Sequence, residues 1–264
     1  MSCTPRELEA YLATLLGVGA FADYCPNGLQ VEGGRQIQRL AVGVTANLAL
    51  LEAAREAEAD AILVHHGLFW NKDPRVLTGW RAARVRSLMQ ADQSLFAYHL
   101  PLDAHADFGN NAGMLRAMAL EPTEPLTVDG VALGFISRLS APMTALNIVE
   151  RIEAVTSREP LVFGDPDQLV GTIGMLSGGG ASYFEAARRA GVDLFITGEA
   201  AESSQAMSEE LGGMFVAAGP AFKAATTVAA FENVHVYHLL ASLLGVEPAP
   251  NDGDPAVGRE LLRD

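Results

Sequence analysis

Cysteine is nearly missing from this chain of 264 residues, which holds only Cys3 and Cys25. Two thiols are too few for a disulfide scaffold or a four-cysteine zinc site. Basic residues are also scarce, with 18 Lys and Arg against 32 Asp and Glu and a net charge of −14. So acidic a chain offers no general surface for nucleic acid or for an anionic membrane. No uncharged apolar run reaches the ~18 residues of a membrane-crossing helix. The opening MSCTPRELEA lacks the basic and apolar stretches of a secretory leader. We therefore expect a soluble protein of a reducing compartment, the cytoplasm. Glycine and proline, 26 and 13 residues, fall short of a collagen-like or linker-like composition. Apolar residues, by contrast, make up 49% of the chain, enough for a full core in one or two domains.

Thr4-Pro5-Arg6-Glu7 reads as a helix start, with Thr4 as cap, Pro5 in the first turn and Glu7 closing a capping box. This helix should run to about Leu16. The stretch 23–33 (DYCPNGLQVEG) is punctuated by Pro26, Asn27 and Gly28 and reads as a loop. A strand over 40–44, a helix over 47–57 and a strand over 61–64 then form a βαβ unit with parallel strands. A helix around 81–89 leads to a strand at 94–99. Further strands are expected at 131–136, 160–163 and 214–218, and a last helix at 236–244.

Glu52-Ala-Ala-Arg55 recurs as Glu185-Ala-Ala-Arg188, an offset of 133 positions (52 to 185), and Asp60 maps onto Asp193 at the same offset. Segments 40–66 and 173–199 therefore read as two copies of one βαβ unit, with chance likeness of two alanine-rich units as the alternative. The expected organisation is an α/β protein of two similar lobes, 1–127 and 128–264, with structure broken near Pro122 and Pro125.

The chemistry gathers at strand ends. His65 and His66 close one strand, His99 closes another, and Asp103 follows in HLPLD. Ligands of open parallel sheets bind at the carboxyl ends of strands. Neutral imidazole with carboxylate suits zinc, manganese, iron or nickel. Successive strand residues point to opposite faces. His65 and His66 share one ion only if the strand ends or distorts at Gly67. Otherwise they serve different ions, or one stands behind the other, or the pair merely caps the strand by hydrogen bonding. Pro101 argues against a continuing strand, which leaves Asp103 on a loop. His105, Asp107, Asn110 and Asn111 could support such a site. The loop Ser177-Gly-Gly-Gly-Ala181 is either a tight turn or an anion cradle. Glu199 stands at the repeat position of His66, and either faces a cleft or caps a neighbouring helix. No adjacent base makes Cys25 a nucleophile.

VHHGLFW (64–70) and YHLPLDAHADFGNNAG (98–113), with NGLQVEG (27–33) and TGE (197–199), closely resemble the Nif-three-like, or GTP cyclohydrolase 1 type 2-like, family of dinuclear-metal-centre hexameric proteins. The resemblance implies two α/β lobes, a toroidal homohexamer and one or two divalent metals per subunit held by His65, His66 and Asp103. His99 and His105 would orient those ligands or move protons. It also implies a further His and Glu from a Gly-His-x-x-Thr-Glu motif, and here the chain departs. Pro220 and Ala224 stand at those places, unless an insertion brings in Glu232 with His235 or His238 nearby. Thr45 likewise stands where the family often has Asp. The implied activity is hydrolysis of a small-molecule substrate by metal-activated water. The rival expectation is a non-catalytic hexameric scaffold with a degraded site, and a third is a metal-dependent phosphoesterase or nuclease.

Overall fold

The computed structural model describes residues 2–200 and 214–217. The expected last helix and Pro220, Ala224, Glu232, His235 and His238 lie outside them. The chain divides into two compact units, Met1–His105 and Ala106–Asp264.

In the first unit, helix α1 (Pro5–Leu15) begins with the capping box read from the sequence. The Thr4 hydroxyl accepts from the Glu7 N–H, and Glu7 accepts from the Thr4 N–H. The sheet runs in the order β1 (Gly28–Val31), β4 (Ser94–Ala97), β3 (Ala61–His66), β2 (Leu40–Thr45). Strand β1 is antiparallel to β4, and the others run parallel. The loop expected over 23–33 thus contains an edge strand. Proline ends where pairing begins, and Gly28, at φ +118°, lets the Glu9 carboxylate reach the Leu29 N–H at 3.0 Å. Helices α2 (Leu48–Glu56) and α3 (Gly79–Ala91) pack against one face of the sheet, around Leu51, Ile62, Leu88 and Leu95. Leu12, Leu16, Phe96 and Tyr98 fill the other face. After β4 the chain turns into the short helix α4 (Leu100–Asp103), with Pro101 in its first turn. Asp103 is therefore on a helical turn and not on a loop: proline fits a first turn, where its missing N–H is not needed.

The second unit opens with α5 (Asn110–Ala117). Its sheet runs β5 (Glu124–Val128), β6 (Val131–Thr144), β8 (Leu169–Leu176), β9 (Leu194–Thr197), β10 (Met214–Ala217), β7 (Leu161–Phe163). Only β8–β9 and β9–β10 are parallel. The break expected at Pro122 and Pro125 is in fact strand β5. Pro125 is accommodated because β5 lies at the sheet's edge, where a missing N–H costs no ladder bond. Helix α6 (Ala145–Thr156) buries Ile148 and Ile152 against this sheet, and α7 (Phe184–Arg189) buries Phe184 and Ala187.

The repeat holds in detail. Leu40 pairs with Ala61 as Ile173 pairs with Leu194, and three further pairs follow in step in each copy. Asp60 Oδ2 accepts from the N–H groups of Gln38 and Arg39, and Asp193 Oδ2 from those of Gly171 and Thr172, all at 2.9 Å. No described helix is long and apolar enough to cross a membrane.

Candidate metal centre

Strands β3 and β4 deliver the site. Both end at the same edge of the sheet, and α4 returns immediately after β4, so His65, His66, His99 and Asp103 meet there. Ligand nitrogens of His65, His66 and His99 all lie within 4.8 Å of one another. Ring centroids are 4.4 Å apart for His65 and His66 and 4.8 Å for His65 and His99. The strand-end pair thus converges despite its adjacent positions.

Hydrogen bonds fix which nitrogen each ring presents. His65 Nδ1 lies 3.1 Å from the Tyr98 carbonyl, which can only accept, so Nδ1 carries the proton and donates. His99 Nδ1 lies 2.9 Å from Asp23 Oδ1 and donates to that carboxylate. Both rings, when neutral, keep the lone pair on Nε2. His66 Nδ1 is 3.0 Å from the Thr45 hydroxyl, which can give or take a proton. Anchoring one ring nitrogen and leaving the other bare is how proteins orient metal-binding histidines. Burial, then the neighbouring His65 and His99 charges, holds the His66 pKa below the ordinary imidazole value, with Asp103 opposing.

His65 Nε2 faces Asp103 Oδ2 at 3.6 Å. With Nδ1 committed to Tyr98, a neutral His65 turns a lone pair toward a carboxylate oxygen. Two acceptors face to face repel unless a cation or a proton lies between them. This donor set fits a divalent metal with nitrogen and oxygen preference.

Asp23 escaped the sequence reading. Its side chain is 2% exposed. Besides His99 it accepts from the Leu100 N–H and the Asn27 side-chain amide, both at 2.9 Å, while Asn27 Oδ1 accepts from the His99 N–H at 2.7 Å. Burial alone would raise the Asp23 pKa. The bonds from His99, Asn27 and Leu100, with the His99 charge, outweigh it and bring the value to about 2. Nothing local in the sequence marks Asp23, because its partners sit 4, 76 and 77 positions away. Tyr24 and Trp70 also escaped notice. They stack at 6.0 Å, and each meets His99 in a T-shaped contact, at 5.0 and 5.2 Å between ring centroids.

Cys25 is buried, and burial followed by the Asp23 charge pushes its thiol up to about 12, which removes it as a nucleophile. His105 lies at the end of the first unit, its ring outside the group of three imidazoles. In the second unit the glycine loop is a tight turn. The Thr197 hydroxyl donates to Gly178 O at 2.9 Å, and a β-carbon on Gly180 would come within 2.8 Å of that hydroxyl. Asn111 binds the Ser177 N–H and the Leu133 carbonyl, a structural role. Glu199 lies against Gly179.

Residues 3–221 match the model of the Duf34/NIF3 (NGG1p interacting factor 3) family. The chain is 42% identical over 214 residues to a GTP cyclohydrolase 1 type 2 homolog of Pasteurella multocida, covering 81% of this chain and 85% of that protein. It is 40% identical over 215 residues to the protein of that name in Vibrio cholerae, with the same coverage. Among solved structures it is similar to protein ybgI, described as of unknown function, at a TM-score of 0.75 and 38% identity over 81% of this chain and 85% of that one. TTHA1606 from Thermus thermophilus gives 0.71 and 34% over the same shares. Sequence and fold agree, and the chain belongs to the Duf34/NIF3 family.

Proposed function

We propose that this protein is a metal-dependent hydrolase acting on a small, planar, ring-bearing molecule, and that His65, His66 and Asp103 hold its divalent ion. The observation that carries the reading is the convergence of the His65, His66 and His99 ligand nitrogens within 4.8 Å of one another, with Asp103 Oδ2 3.6 Å from His65 Nε2. A divalent ion held there would supply Lewis acidity and lower the pKa of a water molecule. His99, steadied by Asp23, keeps its Nε2 lone pair toward the same centre and accepts the proton that the attacking water releases. Tyr24 and Trp70 offer an aromatic wall against which a planar ring stacks. The relatives' name points to a purine nucleotide as the substrate class. For a triphosphate, local cations would have to offset the charge of −14. We place the protein in the cytoplasm as a homohexamer, the assembly to be checked by light scattering.

The test is turnover of a panel of purine nucleotides and smaller heterocycles by metal-loaded protein. Turnover lost in Asp103→Ala and after chelation, with assembly unchanged, supports the reading. Turnover that survives both contradicts it.

One observation favours a non-catalytic metal-binding scaffold instead. The family match stops at Ala221, beside Pro220, where the resemblance calls for a further ligand. On that reading the metal binds and no member of the panel turns over.

A further inference from the structure

The second unit holds a cavity of about 530 Å³ at the carboxyl ends of β8 and β9, the place in the second βαβ copy that the histidines occupy in the first. This volume lies in the range of small-molecule sites. Its floor is core: Ile152, Met175 and Ile196 are each at most 4% exposed. Met114 supplies an adaptable wall. Among the described residues, no Asp, Glu, Lys, Arg or His lines it, although the chain is strongly acidic.

Gly113 supplies an independent sign. It lies inside helix α5 and on the cavity wall, and among the described residues a β-carbon there would meet nothing within 4 Å. Its backbone φ is not in the left-handed range. Neither conformation nor close packing requires glycine, and glycine costs helix stability relative to alanine. Its effect is to keep the cavity wide.

We propose that this cavity binds a neutral, mainly apolar small molecule. Such a site is separate in chemistry from the metal centre and serves for recognition or regulation.

The test uses 2-naphthol as probe and protein carrying ¹³C-methyl methionine. Saturable shifts of the Met114 and Met175 methyl signals are expected, assigned from Met→Leu variants. Gly113→Leu should weaken 2-naphthol binding at least tenfold, and Ala117→Leu, on the same wall, should do likewise should the first variant not fold. His65→Ala should leave binding unchanged. Absence of saturable shifts at Met114 and Met175, or undiminished binding in the cavity-filling variant, overturns the proposal.

Discussion

The two βαβ copies share backbone and differ in chemistry. In each, an aspartate just before the second strand binds two consecutive N–H groups that immediately precede the paired register of the first, and the strand registers coincide residue for residue. At the ends the copies part. The first finishes in His65-His66 and the second in Gly198-Glu199. The first helix is capped by the Asn47 side chain on the Leu50 N–H at 2.9 Å, whereas the second is entered through a tight 3₁₀ turn over Gly180–Tyr183. The scaffold fixes where a strand ends, and the residues placed there decide what the site can bind.

The deepest break in this equivalence is in the cores. Ile62 and Phe195 hold the same position in the two copies and are both fully buried. Ile62→Ala should cost about 2–5 kcal/mol and Phe195→Ala about 3–5 kcal/mol, measured by denaturant unfolding. Loss of the first should leave protected amides in the second unit's sheet under hydrogen exchange, if the units are independently stable.

Next comes the latch on His99 in the first unit. Asp23→Ala strands the His99 Nδ1–H, the Leu100 N–H and the Asn27 amide, at a cost of about 3 kcal/mol. Asp23→Asn should cost less, because one amide oxygen still accepts.

The shared device is the next test. Asp60→Ala and Asp193→Ala each leave two N–H groups without their acceptor and should each cost about 1–3 kcal/mol. Asp60 adds a pH signature. The Gln38 and Arg39 N–H groups, against a smaller effect of burial, hold its pKa below the ordinary carboxylate value. A folded pKa below the unfolded one makes the contribution full above about pH 4 and lost as pH falls through the folded value. The stability gap between wild type and Asp60→Asn should therefore narrow on acidification. A gap that widens contradicts the assignment.

The smallest effect belongs to the caps. Asn47→Ala should cost about 1 kcal/mol. Gly180, its counterpart at the same offset, makes no such bond: a β-carbon there would instead crowd Leu176 and Thr197.

Much of this was legible in the sequence. Asp60 and Asp193, with the repeated Glu-Ala-Ala-Arg, announce the duplication because the motif is local and its spacing is fixed. His65, His66, His99 and Asp103 are visible because strand ends can be read from apolar runs. Strands β1 and β5 were missed because Pro26 and Pro125 look like breakers, whereas an edge strand tolerates them. Asp23, Tyr24 and Trp70 reach His99 across tens of residues, and no local pattern encodes that approach. Thr45 was visible only as a departure from the family's aspartate; its contact with His66 comes from the β2–β3 pairing.

The central claim is that the first copy's strand end holds a divalent metal and the second copy's does not. The direct measurement is metal per chain, by elemental analysis after loading and desalting, on wild type, His65→Ala, Asp103→Ala and Glu199→Ala. We expect at least one ion per chain in wild type and in Glu199→Ala, and a large loss in the other two. Wild type without metal, or His65→Ala holding as much as wild type, would contradict the account.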